Sequence, residues 1–349
     1  MKLLSVKLAA PSRRISNQDI LSLIHQHSRD TFTGDLELAL DRVDRLLKYS
    51  GAETRYWLDG TGTPLDLIGR AFEEALHEAA LEADEIDLMI YAGVDRGFLE
   101  PANAYFVAQA LNLDRVHCFD VLDACNGWSR SMLLVHSLFK TGMYQKAMII
   151  NSEFNLFEGG TIYPKLFSLK QMEDLEYSFA GYTIGEGATV TILDNAQEND
   201  WEFRFLSRPD LADLCGVPEI GYERYSLPSG RTGRNGVMGF YSFSRELFGE
   251  GTKELLQVAG GLDTDLQEMK IIFPHAATKR GWAQGAEAVG LNLKERLYFI
   301  YPSHGNVVSA SVPAGMALAS EDGSLSRGDR FLSVVASAGM SFSAVTGVY

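Results

Sequence analysis

Two separated stretches of the chain run through the same order of elements, and that repetition limits the fold more than any other feature. Ile86–Ser152 reads as strand, loop, helix, Asn-Leu, strand, special turn, helix and strand. Met269–Ala338 repeats the order with Ile271-Ile-Phe, Pro274–Arg280, a helix through Val289 and Leu291-Asn-Leu. The strand Leu297–Tyr301, the turn Ser303–Asn306, a helix through Leu318 and the strand Phe331–Val335 then follow. The match lies in element order and hydrophobicity rather than identity. Runs such as Ile86–Val94 and Lys146–Ser152 are almost continuously apolar, which suits strands of a parallel sheet covered on both faces. Two copies of an α/β unit with no Pro/Ser linker between them predict a pseudo-symmetric pair of packed halves. The polar stretch Asp194–Asp200 marks the boundary, giving halves 1–195 and 196–349.

Around these copies the chain opens on a strand, since Lys7 breaks what could otherwise pass for a signal peptide. Pro64–Glu82 predicts an amphipathic helix with Leu67, Ile68, Phe72, Ala75, Leu76 and Ala79 on one face. The loop Asp95–Pro101 leads into a helix over Ala102–Leu111, Phe157–Thr183 is long and irregular, and Gly185–Leu193 is a glycine-punctuated strand. A net charge of −15 argues against nucleic-acid and anionic-membrane partners, which reward a cationic surface. No run approaches the roughly 20 apolar residues that span a bilayer. Three cysteines without a C-x-x-C pair point to a reducing compartment, the cytoplasm, and away from a metal site.

One of those cysteines sits where chemistry is expected. Cys125, in Asp120–Trp128, lies between a strand-like run (Val116, Cys118, Phe119, Val121, Leu122) and a helix-like one (Met132, Leu133, Val135, Leu138, Phe139). Helix N-termini favour thiolate over thiol, so this position predicts a nucleophile, and Gly127 admits a close substrate approach. The plain alternative is a small core residue, the usual fate of a free cysteine. In the repeat alignment Cys125 and Asn306 occupy corresponding turns, which pseudo-symmetry would bring to one central site. His275 directly follows the strand Ile271–Pro274, at the strand end where α/β sheets place ligand groups. His25, His27, His77, His117 and His136 read as ordinary core or surface residues. Either His304 or Asn306 could be the working residue of the turn His304-Gly305-Asn306.

Taken together, Asp-Ala-Cys125-Asn-Gly, Pro-His275-Ala-Ala-Thr-Lys-Arg and His304-Gly-Asn306 with Ser309-Ala-Ser-Val-Pro313 resemble the β-ketoacyl-acyl carrier protein synthase III group of the thiolase superfamily. Gly185-Glu-Gly-Ala-Thr189 is similar to the turn ahead of that family's mid-chain strand, and Gly328–Tyr349 to its last two strands. The resemblance covers nearly the whole chain in order and spacing. It implies an α/β thiolase fold, with two pseudo-symmetric halves and mixed, mainly parallel sheets in an α-β-α-β-α layering, and a homodimer. It also implies a Cys125-His275-Asn306 triad. Cys125 would accept an acyl group from an acyl-CoA or acyl-carrier-protein thioester. The backbone N–H of Cys125 and one from Ser337-Ala338-Gly339 would hold the oxyanion, while His275 and Asn306 stabilise the enolate of the second thioester. His304 then falls back to a structural part. No metal or other cofactor is implied.

Two departures from the family pattern matter. Thr278 stands where an Asn contacts the pantetheine arm, although Arg280 keeps the family's basic position. Glu100, in Phe98-Leu-Glu-Pro101, replaces an aromatic on the loop that reaches the partner subunit. Leu-Glu-Pro there is similar to the thiolase-like enzyme of bacterial long-chain olefin synthesis, which joins two acyl-CoA chains without decarboxylation. The resemblance would make Glu100 a second base across the dimer, against the plain reading of a solvated loop carboxylate. Arg231, Arg234, Lys279 and Arg280 are candidates to receive an acidic carrier, with scattered surface charge as the alternative. Three functions follow: a carbon–carbon bond-forming ketosynthase, acyl transfer to an alcohol, amine or water, and a non-catalytic partner chain. The intact triad speaks against the last.

Overall fold

The computed structural model describes residues 1–196, 201–275, 278, 282 and 296–349. Its strands are β1 (Lys2–Ala9), β2 (Arg13–Ser16), β3 (Thr54–Trp57), β4 (Leu88–Ala92), β5 (His117–Val121), β6 (Lys146–Glu153) and β7 (Gly187–Asp194). They continue with β8 (Glu202–Ser207), β9 (Cys215–Gly216), β10 (Tyr241–Ser242), β11 (Ile271–Pro274), β12 (Arg330–Ser337) and β13 (Ser341–Val348). One sheet has the order β1-β7-β6-β4-β5 and a second the order β11-β12-β13-β8. Both sheets are mixed. β4 runs parallel to β5 and β6, and β11 parallel to β12, while β7 and β13 are antiparallel to both of their neighbours.

The two side-chain periodicities explain the layering. Along β4, Leu88 and Ile90 point to one face and Met89 and Tyr91 to the other. On the second face lies helix Pro64–Ala79, which buries Ile68, Ala71, Phe72 and Ala75. Thr63 and Asp66 form its capping box and Pro64 occupies its first turn, so its start is fixed by local chemistry. On the first face lies helix Gly127–Lys140, burying Trp128, Met132, Val135 and Phe139. The same cluster takes in Val312 and Met316 of helix Ser311–Glu321, and Ile271, Phe273 and Phe331 of the second sheet. These two helices therefore fill the layer between the sheets. Helix Ser244–Gly260 covers the far side, where Val258 packs with Ile272, Leu332 and Val334. The result is helix, sheet, helix, sheet, helix.

Two segments differ from the sequence expectation or fall outside what is described. Leu297–Tyr301 was expected to be a strand, but only Leu297 pairs, as an isolated parallel bridge to Ile272. The chain is already helical over Tyr301–His304, with Pro302 in the first turn; proline lacks the ladder donor and suits a helix start. The expected helix through Val289 and the Leu291-Asn-Leu connection lie outside the described residues, as do Lys279 and Arg280. Phe157–Thr183 is a string of short turns and one helical turn. It packs Ile162, Leu166, Phe167 and Tyr182 against Ile20, Ile24, Val43 and Leu47 of the first two helices. Among the described residues no helix is long and apolar enough to cross a membrane.

Candidate active site

The C-terminal ends of β5 and β11 meet at one cavity, of about 470 Å³, lined by Cys125, His275 and Asn306. Each arrives by a different local device. After β5, Asp123 anchors the nucleophile turn: its carbonyl accepts from Asn126 N–H (2.9 Å) and Ser337 Oγ (3.1 Å), and its carboxylate from Arg130 Nε (2.8 Å). Buried Asn126 ties the turn to β13, donating to Ser341 Oγ (2.9 Å) and accepting from Ser343 Oγ (2.6 Å). Ala124 takes φ 43°, a left-handed conformation costly for a residue with a Cβ, and the next residue is Cys125.

His275 extends β11, its N–H bonded to Val334 O at 2.8 Å, and its carbonyl accepts from Trp282 Nε1 at 2.8 Å. Asn306 sits on a turn pinned to the segment ahead of β7: its N–H reaches Thr183 O (2.8 Å) and its carbonyl accepts from Gly185 N–H (3.0 Å). Gly305 makes that crossing possible, because at φ 68° a Cβ would lie 2.3 Å from Thr183 O. The Asn306 carboxamide oxygen accepts from Val308 N–H (2.9 Å) and lies 3.2 Å from His275 Nε2. An oxygen can only accept, so the imidazole proton resides on Nε2 and the Asn306 Nδ2 hydrogens remain for another acceptor.

Burial sets the charges. His275 is almost fully enclosed, which lowers its pKa to about 4 against the opposing pull of Asn306, so the ring is neutral. The Cys125 thiol is pushed up by desolvation, then by Cys215 and Glu153, with Ser337 pulling the other way. This corrects the expectation of a resting thiolate. The helix N-terminus is present, but an anion at the floor of an apolar cavity loses more solvation than that dipole returns.

Other residues singled out by the sequence fall in varied places. Thr278 lines the cavity, as do Ser337 and Ala338, whereas Gly339 does not contribute to its wall. His304 turns away, with its ring against Tyr56 and Nδ1 2.9 Å from Ser303 Oγ, so Asn306 is the member of that turn facing the cavity. Arg231 is held by Asp213 and Glu246, while Arg234 is exposed, with its guanidinium over the Tyr177 ring. Glu100 is exposed on its loop and does not line the cavity of the single chain. The repeat alignment also needs a shift. Ala124 (φ 43°) and Val308 (φ 44°) begin matching turns, so the counterpart of Cys125 is Ser309 and not Asn306. Sequence reasoning missed Cys215, which faces the cavity, and Glu153, which is fully buried beside it. A carboxylate closing the apolar run of β6 was the available signal for the latter.

Comparison with known proteins agrees with this architecture. Residues 262–348 match the family model for the 3-oxoacyl-[acyl-carrier-protein] synthase III C-terminal region. The β-ketoacyl-[acyl-carrier-protein] synthase III of Cereibacter sphaeroides is 24% identical over 319 residues, covering 89% of this chain and 92% of the relative. That of Aquifex aeolicus is 25% identical over 314 residues, with the same shares of 89% and 92%. Among solved structures, a cysteine-to-serine variant of Xanthomonas campestris OleA with bound lauric acid and lauroyl-CoA superposes with a TM-score of 0.81. It is 20% identical and covers 99% of this chain and 98% of its own. The Aquifex aeolicus synthase III structure gives a TM-score of 0.79 at 20% identity, covering 100% and 99%. A sulfur, an imidazole and a carboxamide line one cavity in that order along the chain, on a fold shared with these structures, and nearly the whole chain is similar to the β-ketoacyl-[acyl-carrier-protein] synthase III proteins.

Proposed function

We propose that the protein is an acyltransferase that forms a carbon–carbon bond through an acyl-Cys125 intermediate. The observation that carries this reading is the neutral His275 imidazole and the fixed Asn306 carboxamide at the wall of the cavity that Cys125 enters. Cys125 attacks the thioester carbonyl of an acyl-CoA or acyl carrier protein, losing its proton as the bond forms and releasing the free thiol. The backbone N–H groups of Cys125 and of the Ser337–Gly339 turn take the developing oxyanion. A malonyl thioester then loses carbon dioxide. Asn306 Nδ2–H holds the enolate oxygen, joined by His275 Nε2–H as it turns from Asn306 Oδ1 to the substrate. The enolate carbon attacks the acyl-enzyme, expelling the Cys125 thiolate, to give a β-ketoacyl thioester. Neither donor changes charge near neutral pH, and no cofactor enters the steps. A reducing cytoplasm suits an enzyme whose nucleophile is a thiol.

The mostly apolar cavity supports an acyl cargo, with Leu247, Phe248 and Leu255 on one wall and Ile162 and Phe179 on another. Thr278 at that wall and Arg280 are the proposed contacts of the thioester arm, with exposed Arg234 offered to an acidic carrier. A homodimer completes the site in this reading. β5 ends its sheet with an unpaired edge among the described residues, and the exposed Phe98, Leu99, Tyr105 and Leu122 form an apolar surface around it. Leu122 also lines the cavity, so a partner's Phe98–Pro101 loop arriving at this edge would bring Glu100 to the tunnel. In that arrangement a second reading follows, head-to-head condensation of two acyl-CoA chains with Glu100 as the base.

Incubation with acyl-CoA, with and without a malonyl thioester, separates the two. A β-keto product that forms only with the malonyl donor supports the first. Product from acyl-CoA alone, falling about 100-fold in Glu100→Ala, supports the second. Simple hydrolysis in both mixtures would overturn the condensation.

A further inference from the structure

The buried carboxyl of Glu153 has no part in the chemistry above, although it lies at the inner end of β6 beside the nucleophile turn. Its side chain is fully enclosed, and no cation pairs with it among the described residues. Its oxygens accept from Val94 N–H (3.2 and 3.3 Å), from Ser309 N–H (3.3 Å) and, at 3.5 Å, from Asn155 Nδ2. The shortest contact, 2.5 Å, is to Ser309 Oγ. That hydroxyl also lies 3.2 Å from the carbonyl of Ala92 and 3.2 Å from Asn151 Nδ2.

Counting hydrogens on this cluster favours one charge state of Glu153 over the other. The Ser309 hydroxyl has one hydrogen and two neighbours that accept if Glu153 is ionised: the carboxylate and the Ala92 carbonyl. Asn151 Nδ2 also donates to Ala92 O (3.1 Å), so that carbonyl has a donor in either case. With the Ser309 hydrogen directed to an ionised Glu153, the 3.2 Å approach of Ser309 Oγ to Ala92 O would set lone pair against lone pair in a buried site. If Glu153 carries a proton, each contact has a donor and an acceptor. The acid O–H donates to Ser309 Oγ, the Ser309 O–H donates to Ala92 O, and Asn151 Nδ2 donates to Ser309 Oγ. We infer that Glu153 is held as a neutral carboxylic acid, a positioning residue that joins the two pseudo-symmetric turns and keeps negative charge away from Cys125.

The placement explains why neutrality matters. Ser309 is the second-half counterpart of Cys125, and its Cβ lies 3.2 Å from where a Cβ on Gly127 would be, at the start of the nucleophile helix. Val94, bonded to the same carboxyl, lines the cavity, and the Ser309 turn begins two residues after Asn306. One side chain thus fixes the spacing between sulfur and carboxamide. Burial raises the Glu153 pKa to about 8, the direction the hydrogen count favours. The titratable groups around it are Tyr91 and Asp95 from β4 and its following loop, Arg96 beside them, and Cys125 from the nucleophile turn. Asp95 is raised to about 7 by burial, so the two carboxyls resist sharing a second negative charge.

This inference rests on Cys125 as the nucleophile, but its test needs no acyl substrate. The rate at which iodoacetamide alkylates Cys125 is followed against pH in the wild-type protein, Glu153→Gln and Glu153→Ala, each checked for folding by circular dichroism. Glutamine donates to Ser309 Oγ as the neutral acid does, and cannot ionise. At pH about 9, E153Q is expected to alkylate about tenfold faster than wild type, because wild type then carries a charge that holds the thiol up. In turnover, E153A is expected to lose about 10- to 100-fold in kcat, and E153Q to recover most of that loss. The infrared carbonyl band of a protonated carboxyl, present in wild type at neutral pH, would be missing in E153Q. A folded E153Q with an unchanged alkaline alkylation profile and that band intact would overturn the inference. Loss of condensation with the alkylation difference preserved would count against the acyl chemistry alone.

Discussion

Replacement of Cys125 by alanine is expected to lower turnover by about 10⁴-fold or more, the scale on which removal of a covalent nucleophile acts. The cavity would keep its oxyanion donors and His275 and Asn306, so the residual rate would reflect binding and polarisation alone. The check is direct. Wild-type protein incubated with acyl-CoA gains the acyl mass on the peptide holding Cys125, and C125A gains none. The raised thiol pKa adds a condition: acylation should quicken as pH rises above neutrality, since the thiol is protonated at rest. A C125A protein that turns over at the full rate would end the mechanism proposed here. The mass of the adduct would also measure the cargo.

Asn306→Ala should split the reaction into its two halves. The carboxamide is placed to serve the enolate and not the first acyl transfer, so N306A is expected to load Cys125 at nearly the normal rate. Condensation should fall by about 10²- to 10³-fold, the typical worth of one donor to a developing oxyanion. Equal losses in loading and condensation would mean that Asn306 shapes the cavity rather than the enolate. His275→Gln should also lose condensation. In the wild type the profile of kcat should have no inflection near 6.5, the ordinary histidine value, because burial holds this ring neutral down to about 4. The same shift carries a stability effect. The folded ring resists a proton that the unfolded one takes, so this contribution is present above 6.5 and lost as pH falls toward 4, about 3 kcal/mol when complete. H275Q should therefore lose less thermal stability than wild type over that interval. Glu153 acts in the opposite sense: its raised value favours the fold below 4.5, and that advantage fades as pH climbs toward 8.

Much of this site was legible in order of residues because its parts are local. The turn at Cys125 announced itself by the change from an apolar strand to a helical period, and β5 followed by helix Gly127–Lys140 bears this out. His275 after a short apolar strand was readable for the same reason. The helix from Pro64 was marked by its cap, its proline and its 3.6-residue spacing. The supposed strand Leu297–Tyr301 failed because strand pairing is a contact with a distant partner, and Pro302 left the local preference with a helical turn. The register of the two repeats failed by three positions, since hydrophobic order locates a turn but not the residue within it. Positive φ at Ala124 and Val308 supplied that register.

By itself, then, the sequence determined most of the described elements that carry the site, their order, and which sulfur and imidazole stand at strand ends, with the carboxamide on a nearby turn. Those properties depend on side chains within a few residues of one another. The tertiary structure alone decided that the resting thiol is protonated, that His304 faces away from the cavity, and that Glu153 meets Ser309 at 2.5 Å across 156 positions of chain. Charge state and partner choice follow from how much water is removed around a group and from what remains within hydrogen-bond reach. Neither quantity exists until the two halves have packed.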